Sequence, residues 1–84
     1  MPYIKSDFRK PVDEAVAGLV KACGGEVGFL NYAITRLLLL SYPEPNYKRY
    51  NEMIGLLECI KQELYRRAVG PYEDKKCLEN GDVY

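Results

Sequence analysis

Between Tyr50 and Leu64 the apolar side chains return at intervals of three, four, three and four residues: Tyr50, Met53, Leu57, Ile60 and Leu64. That spacing keeps them on one face of an α-helix and is the seam by which one helix packs on another. Ile54, Cys59 and Tyr65 widen it. Asn46 is placed to cap the start with its side-chain oxygen, and Gly70-Pro71 follows the end, so a helix is expected over 46–69. At 1.5 Å per residue it would span roughly 36 Å. A chain of 84 residues does not need that length to cover itself, which favours a partner chain. Gly55 either leaves a gap for another backbone or weakens the helix by about 1 kcal/mol.

Two further helices precede it. Val12, Ala15, Val16, Leu19, Val20 and Cys23 fall at helical spacing. Pro11 suits a first turn, Asp13 and Glu14 would complement the helix dipole there, and Gly24-Gly25 would stop the helix. This predicts a helix over 11–23. Leu30, Ile34, Leu37, Leu38 and Leu40 predict a second over 29–41, with Asn31 as N-cap or a start near Gly28. It is apolar on more than one face, as a central or shared helix is. Pro43 and Pro45 end it. The tail 71–84 carries a short helix from Pro71, a stop at Asn80-Gly81 and a terminal arm. The first ten residues read as an extended arm, with Tyr3, Ile4 and Phe8 able to dock on a neighbour. The fold class is therefore all-α: a helical bundle of three main helices and a short fourth, one domain over 1–84.

A domain this small buries only roughly 60–65% of the surface of its unfolded chain, so a supplement to the core is expected. Three cysteines, widely spaced, make a poor disulfide framework, and with no histidine a zinc site lacks ligands. Self-association is the supplement left. The cysteines read as small buried hydrophobes or surface thiols of a reducing cytoplasm. Twelve basic residues balance twelve acidic ones, which argues against a long nucleic acid as partner. The apolar run 37–40 is too short to span a membrane, and the start lacks the apolar stretch of a signal peptide.

Enzyme chemistry has little to work with. There is no histidine, and no nucleophile elbow, zinc-protease or phosphate-loop pattern. Glu73-Asp74 would serve for capping before acid–base or metal chemistry, and no cofactor is implied. Two clusters stand out instead, in a chain with eight tyrosines, a residue whose flat apolar face and polar tip suit interfaces, ligand pockets and the wet edges of a small core alike. In the first, Tyr32 and Arg36 share a helix face, and Arg36 would either pair with Glu58 or Glu63 or hold a carboxylate or phosphate. In the second, Tyr65, Arg66, Arg67, Tyr72, Lys75 and Lys76 lie within twelve residues. Their cations would complement a helix C-terminus, or hold an anion while the tyrosines stack on a base.

Several stretches resemble a family of short prokaryotic and phage-associated proteins known only as a domain of unknown function. They are Met1-Pro-Tyr-Ile-Lys5, Leu30-Asn-Tyr-Ala-Ile-Thr-Arg-Leu-Leu38, the stretch 47–58, Glu63-Leu-Tyr-Arg-Arg67, Pro71-Tyr-Glu-Asp-Lys75 and Asn80-Gly-Asp-Val-Tyr84. The resemblance spares the first helix and the 24–28 loop. It implies a complete small protein ending at Tyr84, and no activity. Phage association adds an analogy with small phage proteins that assemble into oligomers and trap nucleotide signals of host defence. The expectation is thus a non-enzymatic cytoplasmic homo-oligomer that sequesters a small anionic, nucleotide-like ligand. The alternative is an interaction module, an inhibitor or adaptor, bound to a host or phage protein.

Overall fold

The computed structural model describes residues 3–84; Met1 and Pro2, part of the expected arm, lie outside the described residues. It is all-α, with no strand among the described residues. A 3₁₀ turn at Ser6–Phe8 leads into α1 (Arg9–Cys23), followed by α2 (Val27–Ser41), α3 (Tyr47–Leu64), a π-helical turn (Tyr65–Val69) and α4 (Gly70–Asn80). Two compact units result, Met1–Pro45 and Asn46–Tyr84.

The first unit is a hairpin of α1 and α2. α1 begins two residues before the expected start, because the turn at Ser6–Phe8 already carries the chain into helical geometry and Arg9 Nε donates to the Ile4 carbonyl at 3.1 Å. Its first turn therefore holds no acid, and Asp13 and Glu14 sit deeper than the dipole argument placed them. Gly24 ends the helix in the left-handed region at φ 58°, its N–H donating to the Val20 carbonyl at 3.1 Å. A side chain there would bring Cβ against the carbonyl, so glycine is the residue that turns at least cost.

α2 starts at Val27 behind Glu26, which makes no side-chain cap. Asn31 is thus an interior residue and not the N-cap; its carbonyl accepts from Thr35 Oγ1 at 2.8 Å. Cys23, 6% exposed, and Leu38, 8% exposed, are the buried residues of this unit, and most of the leucines and valines around them stay open.

In the second unit α3, the π turn and α4 follow one another without a break, as one run of helical backbone over 47–80. Asn46 caps it as the sequence implies, Oδ1 accepting from the Arg49 N–H at 2.9 Å. Pairs three apart line the outside: Arg49–Glu52 at 3.2 Å, Lys61–Glu58 at 3.0 Å and Lys76–Glu79 at 3.1 Å. The Gln62 amide, with the Lys61 ammonium beside it, holds the Glu58 carboxyl below its usual value.

The expected break at Gly70-Pro71 does not occur. Proline has no N–H to donate and its ring crowds the carbonyl four residues back, which breaks an ordinary α-helix. Here the turn before it widens: the Gly70 N–H reaches back five residues to the Tyr65 carbonyl, and Gly70 keeps helical angles. The proline is accommodated at the head of α4 and the backbone continues to Asn80. A Cβ at Gly70 would stand 3.3 Å from the Tyr65 oxygen, so the widened turn is built around a glycine.

Gly55, by contrast, faces open space in the middle of α3. Replacing it costs nothing sterically and removes backbone freedom from the unfolded chain. Gly55→Ala is expected to raise stability by about 0.5–1 kcal/mol, and Gly24→Ala to lower it by about 1 kcal/mol. Thermal unfolding followed by circular dichroism at one fixed protein concentration checks both. A fall for Gly55→Ala would show that its open face is occupied by another backbone.

Candidate functional site

Where α1 lies along α2, their side chains enclose an open groove of about 710 Å³. Phe29, Tyr32, Arg36 and Leu40 line it from α2, facing Leu19 and Cys23 on α1. The α2 residues recur at three and four, so one helix face presents two aromatic rings, a guanidinium and a leucine in a row of roughly 16 Å. Cys23 is the floor, its thiol buried.

Arg36 is the one charged residue of this lining, and it makes no ion pair among the described residues. A guanidinium in mostly apolar surroundings keeps its charge and five donors, and lacks the carboxylate that normally satisfies them. Tyr32, 67% exposed, stands one turn away with its ring accessible.

On its other flank the same hairpin carries a second groove, of about 230 Å³, lined by apolar side chains alone, Val16, Val20, Leu30 and Ile34 among them. Leu19, Cys23, Ala33 and Leu37 contribute to both grooves and form the ridge between them.

The second sequence cluster is not a single patch. All six of its residues are exposed on the helix of the second unit, but they point to different sides. Arg66 turns back to Glu63, with Nη2 to Oε1 at 3.8 Å. Lys76 Nζ contacts Glu79 and lies 5.7 Å from the centre of the Tyr72 ring. Arg67 and Lys75 fall on one row through Pro71, two turns apart, and neither makes an ion pair among the described residues. Tyr65 opens the π turn. The surface salt bridges are worth little, about 0–1 kcal/mol each, yet they engage two of this cluster's four cations, Arg66 and Lys76.

Phe29 escaped the sequence reading. It lies three residues before Tyr32 and seven before Arg36, and that spacing alone places it on their face. Among the described residues no group of three acids, cysteines or histidines is arranged to hold a metal ion, and no helix is long and apolar enough to cross a membrane.

Residues 1–83 match a domain of unknown function, DUF6899, and the chain belongs to that family. Neither the curated proteins nor the solved structures compared with the chain include a match.

The groove's floor has a direct chemical check. Cys59 and Cys77 are exposed and Cys23 is buried. In the native protein a thiol reagent such as Ellman's is expected to titrate two of the three cysteines within minutes, and Cys23 only on unfolding. Rapid reaction of Cys23→Ser protein with one thiol fewer than wild type would show that α1 does not cover that floor.

Proposed function

We propose that this DUF6899 chain is a non-enzymatic oligomer that holds a small anionic, nucleotide-like ligand, with the α1–α2 groove as its site. The observation that carries the reading is Arg36, exposed on the rim of an otherwise apolar, aromatic-walled groove and without an ion pair among the described residues. A planar ring would stack on the exposed faces of Phe29 or Tyr32, a contact that contributes about 1–3 kcal/mol per base. A phosphate or carboxylate on the same molecule meets the fork of Arg36.

Sequestration follows from the same lining. The groove's lining offers stacking faces and one cation, which supports holding a ligand as its role. This is the role of the phage proteins that trap nucleotide signals of host defence, and the cytoplasm is where such ligands occur. Arg67 and Lys75, which make no ion pair among the described residues, are a separate candidate for anionic oxygens on the second unit. Arg66 and Lys76 contribute less than their composition implied, because Glu63 and Glu79 already compete for them.

A second reading, a module that binds another protein, draws on a different observation: the groove on the hairpin's other flank has no polar lining at all. An amphipathic helix seats its apolar anchors in a groove of that kind.

Native mass spectrometry with a panel of nucleotides and cyclic nucleotides separates the two. Uptake of a ligand of defined mass, weakened about ten- to a hundredfold by Arg36→Ala as expected for a charge-assisted hydrogen bond, supports the site. Uptake unchanged in Arg36→Ala moves the ligand to Arg67 and Lys75. Failure to take up any of the panel, together with a stoichiometric complex with a protein, selects the second reading.

A further inference from the structure

The lining of the α1–α2 groove limits how a ligand is recognised there. Among the described residues, three of its side chains offer polar atoms: the Arg36 guanidinium, the Tyr32 hydroxyl and the Cys23 thiol. Cys23 is buried, and a thiol donates and accepts only weakly. The rest of the lining is leucine, alanine and phenylalanine. From Tyr32 to Leu37 the backbone lies inside α2, where its N–H and C=O groups bond to one another.

We infer, on the reading that this groove is the ligand site, that it recognises a flat aromatic ring carrying a single anionic head group and does not read the edge of that ring. The ligand class is then the aryl phosphates and carboxylates. Mononucleotides belong to it, sorted neither by base nor by phosphates beyond the first.

The spacing along α2 gives ring and head group their places. Phe29 and Tyr32 stand three residues apart, roughly 4.5 Å along the axis, and Arg36 follows Tyr32 by four, roughly 6 Å. Both aromatic rings are exposed. A ligand ring laid on the face of Tyr32 leaves its head group about one helical turn away, at the guanidinium. The fork of Arg36 presents parallel N–H donors to two oxygens, an arrangement that carboxylate and phosphate share. No second cation lines the groove among the described residues, so further phosphates on the same ligand stay in water and gain no contact there.

Reading an edge requires more than this. Adenine and guanine differ in the donors and acceptors at their edges, and a site that tells them apart sets complementary groups against those atoms. A site built to hydrogen-bond its ligand rejects an analogue lacking the bonded atoms by about 10,000-fold or more, whereas a hydrophobic pocket sorts ligands by size, roughly 10–200-fold per methylene. The walls of this groove are of the second kind. A base edge turned toward them would lose water and gain no partner. The productive contact is with the flat face, which every base has.

Isothermal titration calorimetry at one ionic strength tests this with 1-naphthyl phosphate, 1-naphthoate, AMP, GMP, ATP and inorganic phosphate. Naphthalene has the flat face and none of the edge atoms. Naphthyl phosphate, AMP, GMP and ATP are expected within about threefold of one another, and inorganic phosphate about a hundredfold weaker for want of a ring. Naphthoate against naphthyl phosphate decides which of the two head groups the fork prefers, both lying inside the class. Arg36→Ala should weaken every ring ligand about ten- to a hundredfold. Tyr32→Leu, at an exposed position, should weaken naphthyl phosphate and the nucleotides by the same factor. AMP or GMP bound more than tenfold tighter than naphthyl phosphate, with the same dependence on Arg36, would show that edges are read and overturn this inference while leaving the groove as the site. ATP bound more than tenfold tighter than AMP would overturn the single head group in the same way. Absence of Arg36-dependent binding by all of them would overturn the groove reading itself.

Discussion

The helices of this chain satisfy their backbone groups by local hydrogen bonds, but they do not bury the apolar stripes that the sequence puts on them. Local bonding fixes φ and ψ; it does little for free energy, since each hydrogen bond made is one exchanged with water, worth about 1 kcal/mol net. Burial supplies most of the driving force. Among the described residues only Cys23, Leu38 and Met53 are buried nearly completely, and most of the other apolar side chains are covered in part. Isolated helices and lone helical hairpins are marginal in water for this reason. Everything else about the protein, including its grooves, its seam and its exposed tyrosines, follows from apolar surface in search of cover.

The π turn bears on how that surface is laid out. An α-helix stopped before Pro71 would let α4 fold back and cover part of α3. Widening the turn by one residue instead lets the proline pass and keeps the direction of the helix. The face of α4 is rotated relative to that of α3, because the wider turn advances fewer degrees per residue. Arg66 and Arg67, like Lys75 and Lys76, are neighbours in sequence and so point to different sides, since each residue of a helix is turned about 100° from the last.

Most of the helical content was legible because the signals are local. The three-four spacing on α3, the paired glycines at 24 and 25, the prolines at 43 and 45 and the Asn46 cap each act within one turn. The errors arose where two local rules compete. Pro11 suggested a first turn, but the 3₁₀ turn before it had already started the helix. Asn31 has the chemistry of a cap but lies within the apolar period of α2, and the period won. At Gly70-Pro71 the terminator rules are strong, and only a rare backbone geometry evades them.

The site was half legible. Tyr32 and Arg36 were found by their spacing, whereas the pairing of Arg66 with Glu63 and Lys76 with Glu79 follows from the three-residue rule applied to acids on the same helix. What spacing does not reveal is the facing surface from α1 that turns a row into a groove.

The thermodynamics of Arg36 couple anion binding to any assembly that covers its groove. In the open groove water satisfies its donors, and its lack of a carboxylate costs little. Covering the hairpin with another chain would remove that water. A guanidinium left without an acceptor in low dielectric is penalised by several kcal/mol. An anion delivered to it in the same step removes the penalty and gains from the weaker screening. Assembly that closes the groove and binding of an anion to Arg36 therefore favour one another, by the same free energy in each direction. An apolar groove with one unpaired cation is a poor resting interface and a good conditional one.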